Sequence, residues 1–274
     1  MNKMKLIAAA AALVAAVPAF AKIEVGNNPE LVLAVFDEVN KVSFTKDLGT
    51  YADAFKGQFD NNTAGATLNW DLKTDSNWSS FLSVASAGNL KWTVFGLDDQ
   101  GGTGVGQKRL FTTARNDGPN VAKIGTWTNQ LFTNGISATA LGNYVGLVGD
   151  TGTHRALANG SSVNAEQTDG KAYFGKNGSG EFYNTTSPFS NANLIGADSE
   201  FFYLTRSGTN QLNKVLVDRF ENVDGKASTF KLDANYVLSA TAVAAVPEPS
   251  TYAMLLGGLL ALGLVVRRRT NDKR

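Results

Sequence analysis

The feature that most constrains the fold is the position of two apolar segments at opposite ends of the chain. Residues 6–17 form one apolar run and residues 252–266 form the other, and basic residues flank both runs. Segments of this composition are typical of membrane-targeting sequences rather than of a protein core. We therefore expect the globular body between them, at residues 22–239, followed by a linker at residues 240–246.

The N-terminal run has the three parts of a secretory signal peptide. Two lysines precede the apolar residues, and Ala19 and Ala21 follow at the −3 and −1 positions of a cut after Ala21. An apolar run of about a dozen residues is too short to span a bilayer as a helix. We therefore expect signal peptidase to remove residues 1–21, so that the mature chain begins at Lys22.

Two prolines bracket a glutamate immediately before the C-terminal apolar run. Proline keeps the backbone extended and has no amide hydrogen to donate. This stretch is therefore accessible to a processing enzyme. The candidate recognition residues are Pro247, Glu248 and Pro249.

Three arginines directly after the apolar run predict its orientation in a membrane. The fifteen residues 252–266 would reach about 22 Å as a helix, so local thinning of the bilayer and snorkelling arginines must compensate for the short span. The positive-inside rule places the basic end in the cytoplasm. We predict a transmembrane helix at 252–266, a cytoplasmic tail at 270–274 and a body in the periplasm. The basic cluster consists of Arg267, Arg268 and Arg269.

The proline motif, the short helix and the basic cluster, which together span residues 247–269, resemble the PEP-CTERM sorting signal in their order and spacing. The resemblance implies recognition by exosortase, an integral-membrane cysteine protease of Gram-negative bacteria with extracellular polysaccharide systems. It further implies transient anchoring in the inner membrane, processing near the motif, and arrival at the cell surface or outside the cell. Such a signal is a substrate and contributes no catalytic residues.

The composition of the body favours β-structure. The chain has 28 glycines, only 18 % charged residues and no cysteine, which favours a turn-rich body without disulfides or thiolate metal sites. When the basic residues of the two ends and Asp272 are set aside, the rest of the chain, Glu248 included, carries a net charge of about −5. A mildly acidic body is a poor match for nucleic acid.

Alternating apolar residues predict a mainly β body with an antiparallel, two-sheet, sandwich-like arrangement. Near-helical spacing predicts a small helical insertion at residues 121–147. The opening residues 31–51 resemble the start of uncharacterised PEP-CTERM cargo proteins, in which a strand pair leads into an Asp-Leu-Gly turn. The predicted strands are residues 31–37, 42–45, 90–96, 109–113, 172–174, 200–205, 214–220, 228–233 and 236–239.

The glycine-rich segment 98–106 suggests either a solvated hairpin loop or a ligand site. Its glycines match neither the dinucleotide fingerprint nor the P-loop. Asp98 and Asp99 could supply oxygen ligands to calcium, but the spaced acidic ligands of an EF-hand are missing. We favour the hairpin loop, with no cofactor, and keep calcium as the alternative.

His154 is the only histidine, which excludes multi-histidine zinc sites. Asp150 lies four residues earlier, so an Asp-His pair is conceivable, but no nucleophile motif accompanies it. We therefore expect His154 on a surface loop. Paired carboxylates of a glycosidase would have to be found by geometry, and the candidates are Glu166, Glu181 and Glu200.

Other residues could contact or carry carbohydrate. Tryptophans could stack on sugars, although packing in the core is the commoner role; they are Trp70, Trp78, Trp92 and Trp127. Asn-x-Ser/Thr sequons leave glycosylation open; they lie at Asn61, Asn77, Asn159, Asn177 and Asn184.

These features together predict an exported, non-catalytic surface protein associated with exopolysaccharide or biofilm. Its expected partners are signal peptidase, exosortase, the inner membrane in transit and an exopolysaccharide, with no nucleic acid among them. The alternative is a secreted carbohydrate-active enzyme or a lectin-like glycan-binding module that carries the same sorting signal.

Overall fold

The computed structural model describes residues 22–177, 189–246, 254–260 and 262. Within these residues the fold is mainly β, as predicted, with helices inserted between strands. The strands are β1 (Glu30–Asp37), β2 (Val42–Tyr51), β3 (Ala66–Asp71), β4 (Leu90–Asp98), β5 (Arg109–Thr113), β6 (Ser161–Ala165), β7 (Asn193–Leu194), β8 (Asp198–Thr205), β9 (Leu216–Arg219), β10 (Thr229–Leu232) and β11 (Val237–Ala242). The helices are α1 (Ala52–Phe59), α2 (Ser76–Leu82), α3 (Gly118–Lys123), α4 (Asn129–Ile136), α5 (Leu141–Val148) and α6 (Glu166–Asp169).

Antiparallel pairing joins these eleven strands in one sheet. The order is β3-β11-β10-β8-β5-β4-β1-β2-β6, with β7 paired to β4 and β9 paired to β8. The prediction of an antiparallel β body is confirmed, whereas the two-sheet sandwich is not. Strand β8 pairs with two different strands along one edge. Its first residues pair with β10, and its later residues pair with β9.

Strand β1 is an inner strand of the sheet, between β4 and β2, and is buried on both faces. Every residue of this strand is apolar except its two ends, which is typical of a strand covered on both sides. Because successive side chains point to opposite faces, β1 contributes to two separate cores. Leu31, Leu33 and Val35 belong to one of them and Val32, Ala34 and Phe36 to the other.

The helices α3 to α5 cover one face of the sheet, where Trp127, Phe132 and Tyr144 are fully buried in the same core as Phe36. The opposite face curls around α1 and α2. Phe55 of α1 stacks on Phe230 of β10 with 5.3 Å between ring centroids, and both side chains share a core with those of β1. Three strands separate β10 from β1 in the sheet order. Side chains of both strands can pack in one core only because the sheet is curled.

The helical insertion is larger than the predicted 121–147. It contains three helices between Gly118 and Val148, and further helices lie outside it. Asp117 caps α3 by accepting a hydrogen bond from the Asn120 amide, and Thr128 caps α4 in the same way. Short 3₁₀ turns replace the predicted strand at 172–174, because Tyr173 and Phe174 pack under β1 and β2 without joining a strand ladder.

The predicted turn at 47–50 is wrong, because β2 continues through these residues to Tyr51. A register irregularity between Glu30 and Val32 of β1 accommodates the extra length. Gly49 has a φ of +61° in the middle of the strand, a conformation that glycine adopts without strain. The pattern Asp-Leu-Gly therefore marks a bulge in a continuous strand.

Two glycine substitutions test this description of β2. Gly49→Ala should lower the free energy of unfolding by about 1–2 kcal/mol, because its left-handed backbone disfavours a Cβ. Gly57→Ala is the control: Gly57 lies inside α1 with open space where a Cβ would stand, so this change should raise stability by about 0.4–1 kcal/mol. Denaturant unfolding of both variants measures the difference, and equal effects would contradict the assigned backbone.

Candidate functional site

The segment that leads to the proline motif lies against the body. β11 extends through Ala242, so the first three residues of the predicted linker 240–246 belong to the sheet. Beyond the strand, the Ala245 amide donates to the Thr63 carbonyl at 3.0 Å, and the Val246 amide donates to the Asp224 carboxylate at 2.6 Å. The predicted linker is therefore wrong, and the body extends to residue 246 instead of ending at residue 239.

The positions predicted for targeting lie outside the described residues. They are the cleavage residues Ala19 and Ala21, the motif Pro247, Glu248 and Pro249, and the basic cluster Arg267, Arg268 and Arg269. Within the predicted membrane helix, residues 254–260 and 262 are helical and exposed. No helix in the described part of the chain has the length and apolarity needed to cross a membrane.

A cleft of about 410 Å³ opens beside the glycine-rich segment. The segment joins the paired strands β4 and β5 and is largely exposed, which confirms the predicted hairpin loop. Tyr203 of β8 borders the cleft because it pairs with Phe111 of β5. The lining residues are Asn27, Asp98, Gln100, Gly101, Gly106, Gln107, Lys108, Arg109 and Tyr203.

Ion pairs hold the charged groups of the cleft in place. The guanidinium of Arg109 lies 2.7 Å from the Asp53 carboxylate and 3.5 Å from the Asp98 carboxylate. The ammonium of Lys56 lies 5.2 Å from the centre of the Tyr203 ring. An aromatic ring, side-chain amides and charges of both signs therefore border one cleft, an arrangement that suits a polar ligand with an apolar face.

The alternative of calcium at Asp98 and Asp99 stays a prediction. The Asp98 carboxylate accepts a hydrogen bond from the Gln100 amide at 3.0 Å, and the Asp99 carboxylate accepts one from the Gln100 side chain at 2.5 Å. Among the described residues, no group of three metal-ligating side chains comes together. Calcium binding at this loop would need further oxygen ligands from backbone carbonyls, side-chain amides or water.

The structure does not bring the candidate glycosidase carboxylates together. Glu200 lies in β8 near Arg219, with 3.6 Å between their charged groups. Glu166 begins α6 next to the edge strand β6, and four strands separate β6 from β8 in the sheet. Glu181 lies outside the described residues. The two described carboxylates therefore belong to different parts of the sheet, and the pocket that Glu166 lines does not include Glu200.

His154 is fully buried, so its expected surface position is wrong. Asp150 does not pair with it but lies 2.9 Å from the guanidinium of Arg155. Neither imidazole nitrogen has a hydrogen-bond partner within the described residues. Burial lowers the pKa of His154 to about 4, so the ring is neutral at neutral pH. A buried and unpaired ring is not placed to act as a catalytic base.

The tryptophans confirm the expected packing role. Trp78, Trp92 and Trp127 are at most 1 % exposed, and their rings lie in the two cores. Trp70 is half-buried and donates to the Leu48 carbonyl at 3.0 Å. The aromatic ring of the cleft is instead that of Tyr203. The sequence identifies residues 200–205 as a strand, but it does not show that this strand lies beside the loop at 98–106.

A buried pair of carboxyl groups also escaped the sequence analysis. Asp47 is fully buried; one carboxylate oxygen accepts from the Gly49 amide at 2.8 Å, and the other has no partner in the described residues. Burial raises the pKa of Asp47 to about 7, and the nearby charge of Glu30 acts in the same direction. The burial of Asp47 follows from the sequence only if β2 is taken to continue through residue 47. Asp47 then lies opposite the buried residue Val32 of β1.

The sequons differ in their accessibility. Asn77 is engaged in packing, because its amide donates to the carbonyl of Ser161 at 3.0 Å. Asn61 and Asn159 are exposed. Asn184 and the side chain of Asn177 lie outside the described residues. Glycosylation stays a prediction, and Asn61 and Asn159 are its accessible positions.

Comparison with protein families identifies a PEP-CTERM protein-sorting motif at residues 245–269. The matched region begins at Ala245, inside the segment that Thr63 and Asp224 hold against the body. It confirms the resemblance inferred from the proline motif and the basic cluster. Neither the curated proteins nor the solved structures contain a match to this chain.

The buried imidazole predicts a stability change in mild acid. Between about pH 6.5 and pH 4 the unfolded chain binds a proton at His154 that the folded chain does not. Stability from this group is therefore complete above pH 6.5 and falls as the pH drops towards 4, by on the order of 3 kcal/mol. Asp47 acts in the opposite direction over the same range, because its raised pKa favours the folded state in acid.

His154→Leu isolates the imidazole, because Asp47 is common to both chains. In denaturant titrations, the unfolding free energy of the wild type should fall relative to that of the variant as the pH drops from 6.5 to 4. Parallel pH curves for the two chains would contradict a neutral, buried His154.

Proposed function

The chain carries a PEP-CTERM sorting domain, and we propose from this premise that it is an exported, non-catalytic protein of the cell surface or of an exopolysaccharide matrix. Exosortase recognises Pro247, Glu248 and Pro249 and processes the chain near this motif. The observation that carries the proposal is the sorting motif at residues 245–269. The motif supports export and exosortase-dependent sorting, and the surface or matrix location is the proposed step beyond it.

The two ends of the sequence support the proposed route. The signal peptide directs the body across the inner membrane, and signal peptidase cuts after Ala21. The basic residues 267–269 then keep the C-terminal end in the cytoplasm until processing. A mildly acidic body is a poor electrostatic match for anionic lipid or nucleic acid, which leaves the C-terminal signal to retain the precursor at the membrane.

The arrangement of polar groups supports a non-catalytic role. The single histidine is buried and neutral. Glu200 lies in β8 and Glu166 follows β6, and four strands lie between β8 and β6 in the sheet. An acid-base reaction needs a titratable group that reaches the substrate. The cleft beside Tyr203 is lined by side-chain amides, among them Asn27, Gln100 and Gln107, which bind polar ligands without transferring a proton.

Alanine replacement of Pro247, Glu248 and Pro249 tests the sorting function. In cells that contain exosortase, the wild-type chain should be shortened and leave the inner membrane, whereas the variant should remain at full length in the membrane fraction. Asp198→Ala is the control, because this exposed carboxylate has only a surface ion pair with Lys231. Equal chain length and equal fractionation of motif variant and wild type would contradict the proposal.

A second candidate function is the binding of glycans, and the cleft beside Tyr203 favours it. Saccharides have apolar faces that pack on aromatic rings and hydroxyl groups that bond to amides and carboxylates. Tyr203, Asn27, Gln107 and Asp98 offer these groups around one opening. In this reading the body is a glycan-binding module that exosortase delivers to the surface.

Calorimetric titration of the exported chain with neutral and acidic oligosaccharides tests the binding function. Asn27→Ala and Tyr203→Ala should each weaken binding at least tenfold, because each variant removes a group from the cleft wall. Tyr51→Ala is the control, since Tyr51 is exposed and does not line the cleft. Unchanged affinity in both cleft variants, or no binding of any oligosaccharide, would contradict this function.

A further inference from the structure

Two loops of the body hold the residues that immediately precede the sorting motif. One loop comprises residues 61–65 after α1, and the other comprises residues 222–226 after β9. A backbone bridge joins Asn62 to Asn222, and the Val223 amide donates to the Asn62 carbonyl at 3.2 Å. We call these two loops the clasp and residues 243–246 the docked segment.

Asn222 organises the clasp from a buried position, with 2 % of its surface exposed. Its side-chain oxygen accepts hydrogen bonds from the amides of Asp224 at 3.0 Å and Lys226 at 2.8 Å, which shapes the loop. Its side-chain nitrogen donates to the Val243 carbonyl at 3.1 Å. One side chain therefore shapes a loop of the clasp and binds the first residue of the docked segment.

The remaining contacts fasten the end of the docked segment. Thr63 accepts from the Ala245 amide at 3.0 Å, and the Asp224 carboxylate accepts from the Val246 amide at 2.6 Å. Gly65 has a φ of +75°, and a Cβ built on it would lie 3.0 Å from the Ala244 nitrogen. The segment thus lies directly on the loop surface, and three of its backbone groups, the Val243 carbonyl and the Ala245 and Val246 amides, are hydrogen-bonded to the body.

A protease needs the backbone of its substrate to be free. Hydrolysis breaks one peptide C–N bond, adds water across it, and leaves a carboxylate on the body and an amino group on the tail. The residues on both sides of that bond must enter the active site in an extended form, so hydrogen bonds to the body must first open. Because cleavage needs this local opening, its rate is proportional to the fraction of time that the segment spends open.

We propose that the clasp confines exosortase cleavage to peptide bonds that follow Val246, with Asn222 and Asp224 as positioning residues. The inference rests on the proposed processing by exosortase and specifies its site. The docked segment and the whole of β11 then stay with the mature protein. Seven residues separate Val246 from the helix at residue 254, a distance of at most about 25 Å, so cleavage occurs close to the body.

The first test measures the intact mass of the processed chain from cells that contain exosortase. The wild type should give one C-terminus, at Val246 or beyond it. Asp224→Ala removes the acceptor for the Val246 amide and should add products that end within residues 243–245. Asp224→Asn retains a side-chain oxygen acceptor and should restore the wild-type pattern, and Asp198→Ala should match the wild type. A wild-type product that ends before Val246, or identical products from all variants, would overturn the proposal.

The second test measures the clasp without exosortase. Purified full-length chain in detergent is digested with subtilisin, and mass spectrometry follows the trimming of the C-terminal end. Trimming of the wild type should stop after Val246, whereas Asp224→Ala should be trimmed into the docked segment at least tenfold faster, at an unchanged unfolding midpoint. Equal trimming rates would overturn the clasp. If the precursor stays intact in cells with exosortase, the proposed function fails while the subtilisin rates still decide on the clasp.

Discussion

The burial of β1 on both faces is the constraint on which the rest of the structure depends. A strand of this kind needs a cover on each side, and the chain supplies helices α3 to α5 on one face and a curled sheet with α1 and α2 on the other. The curl brings β10, β11 and β3 across from β1 and leaves β3 at the edge of the sheet. The last strand of the body, β11, is therefore enclosed by two neighbours, and the chain leaves the fold from a firmly paired element.

This exit connects the fold to the sorting motif. A chain that ended in a free linker would present the motif independently of the state of the body. Here hydrogen bonds with Thr63, Asn222 and Asp224 hold the chain against the body beyond β11 as far as Val246. The residues before the motif therefore have these partners only when the body is folded.

The sequence predicted the elements whose signals are local. The apolar run of β1, the alternation of β4 and the loop after it, and the sorting motif all follow from residues close together in the chain. The errors arose where distant segments decide the outcome. Gly49 indicated a turn but lies in a bulge that β1 accommodates. His154 indicated a loop surface but is buried, with Gly160 packed against its backbone. The residues of the cleft come from three separate segments of the chain, so their meeting could not be predicted from spacing.

The central claim is that exosortase acts on the C-terminal motif of a folded and exported body. The most direct measurement is the intact mass of the chain recovered from two otherwise identical strains, one with exosortase and one without it. The account predicts that both chains begin at Lys22, and that only the strain with exosortase yields a chain that lacks the apolar segment 252–266. An identical mass in the two strains would contradict it.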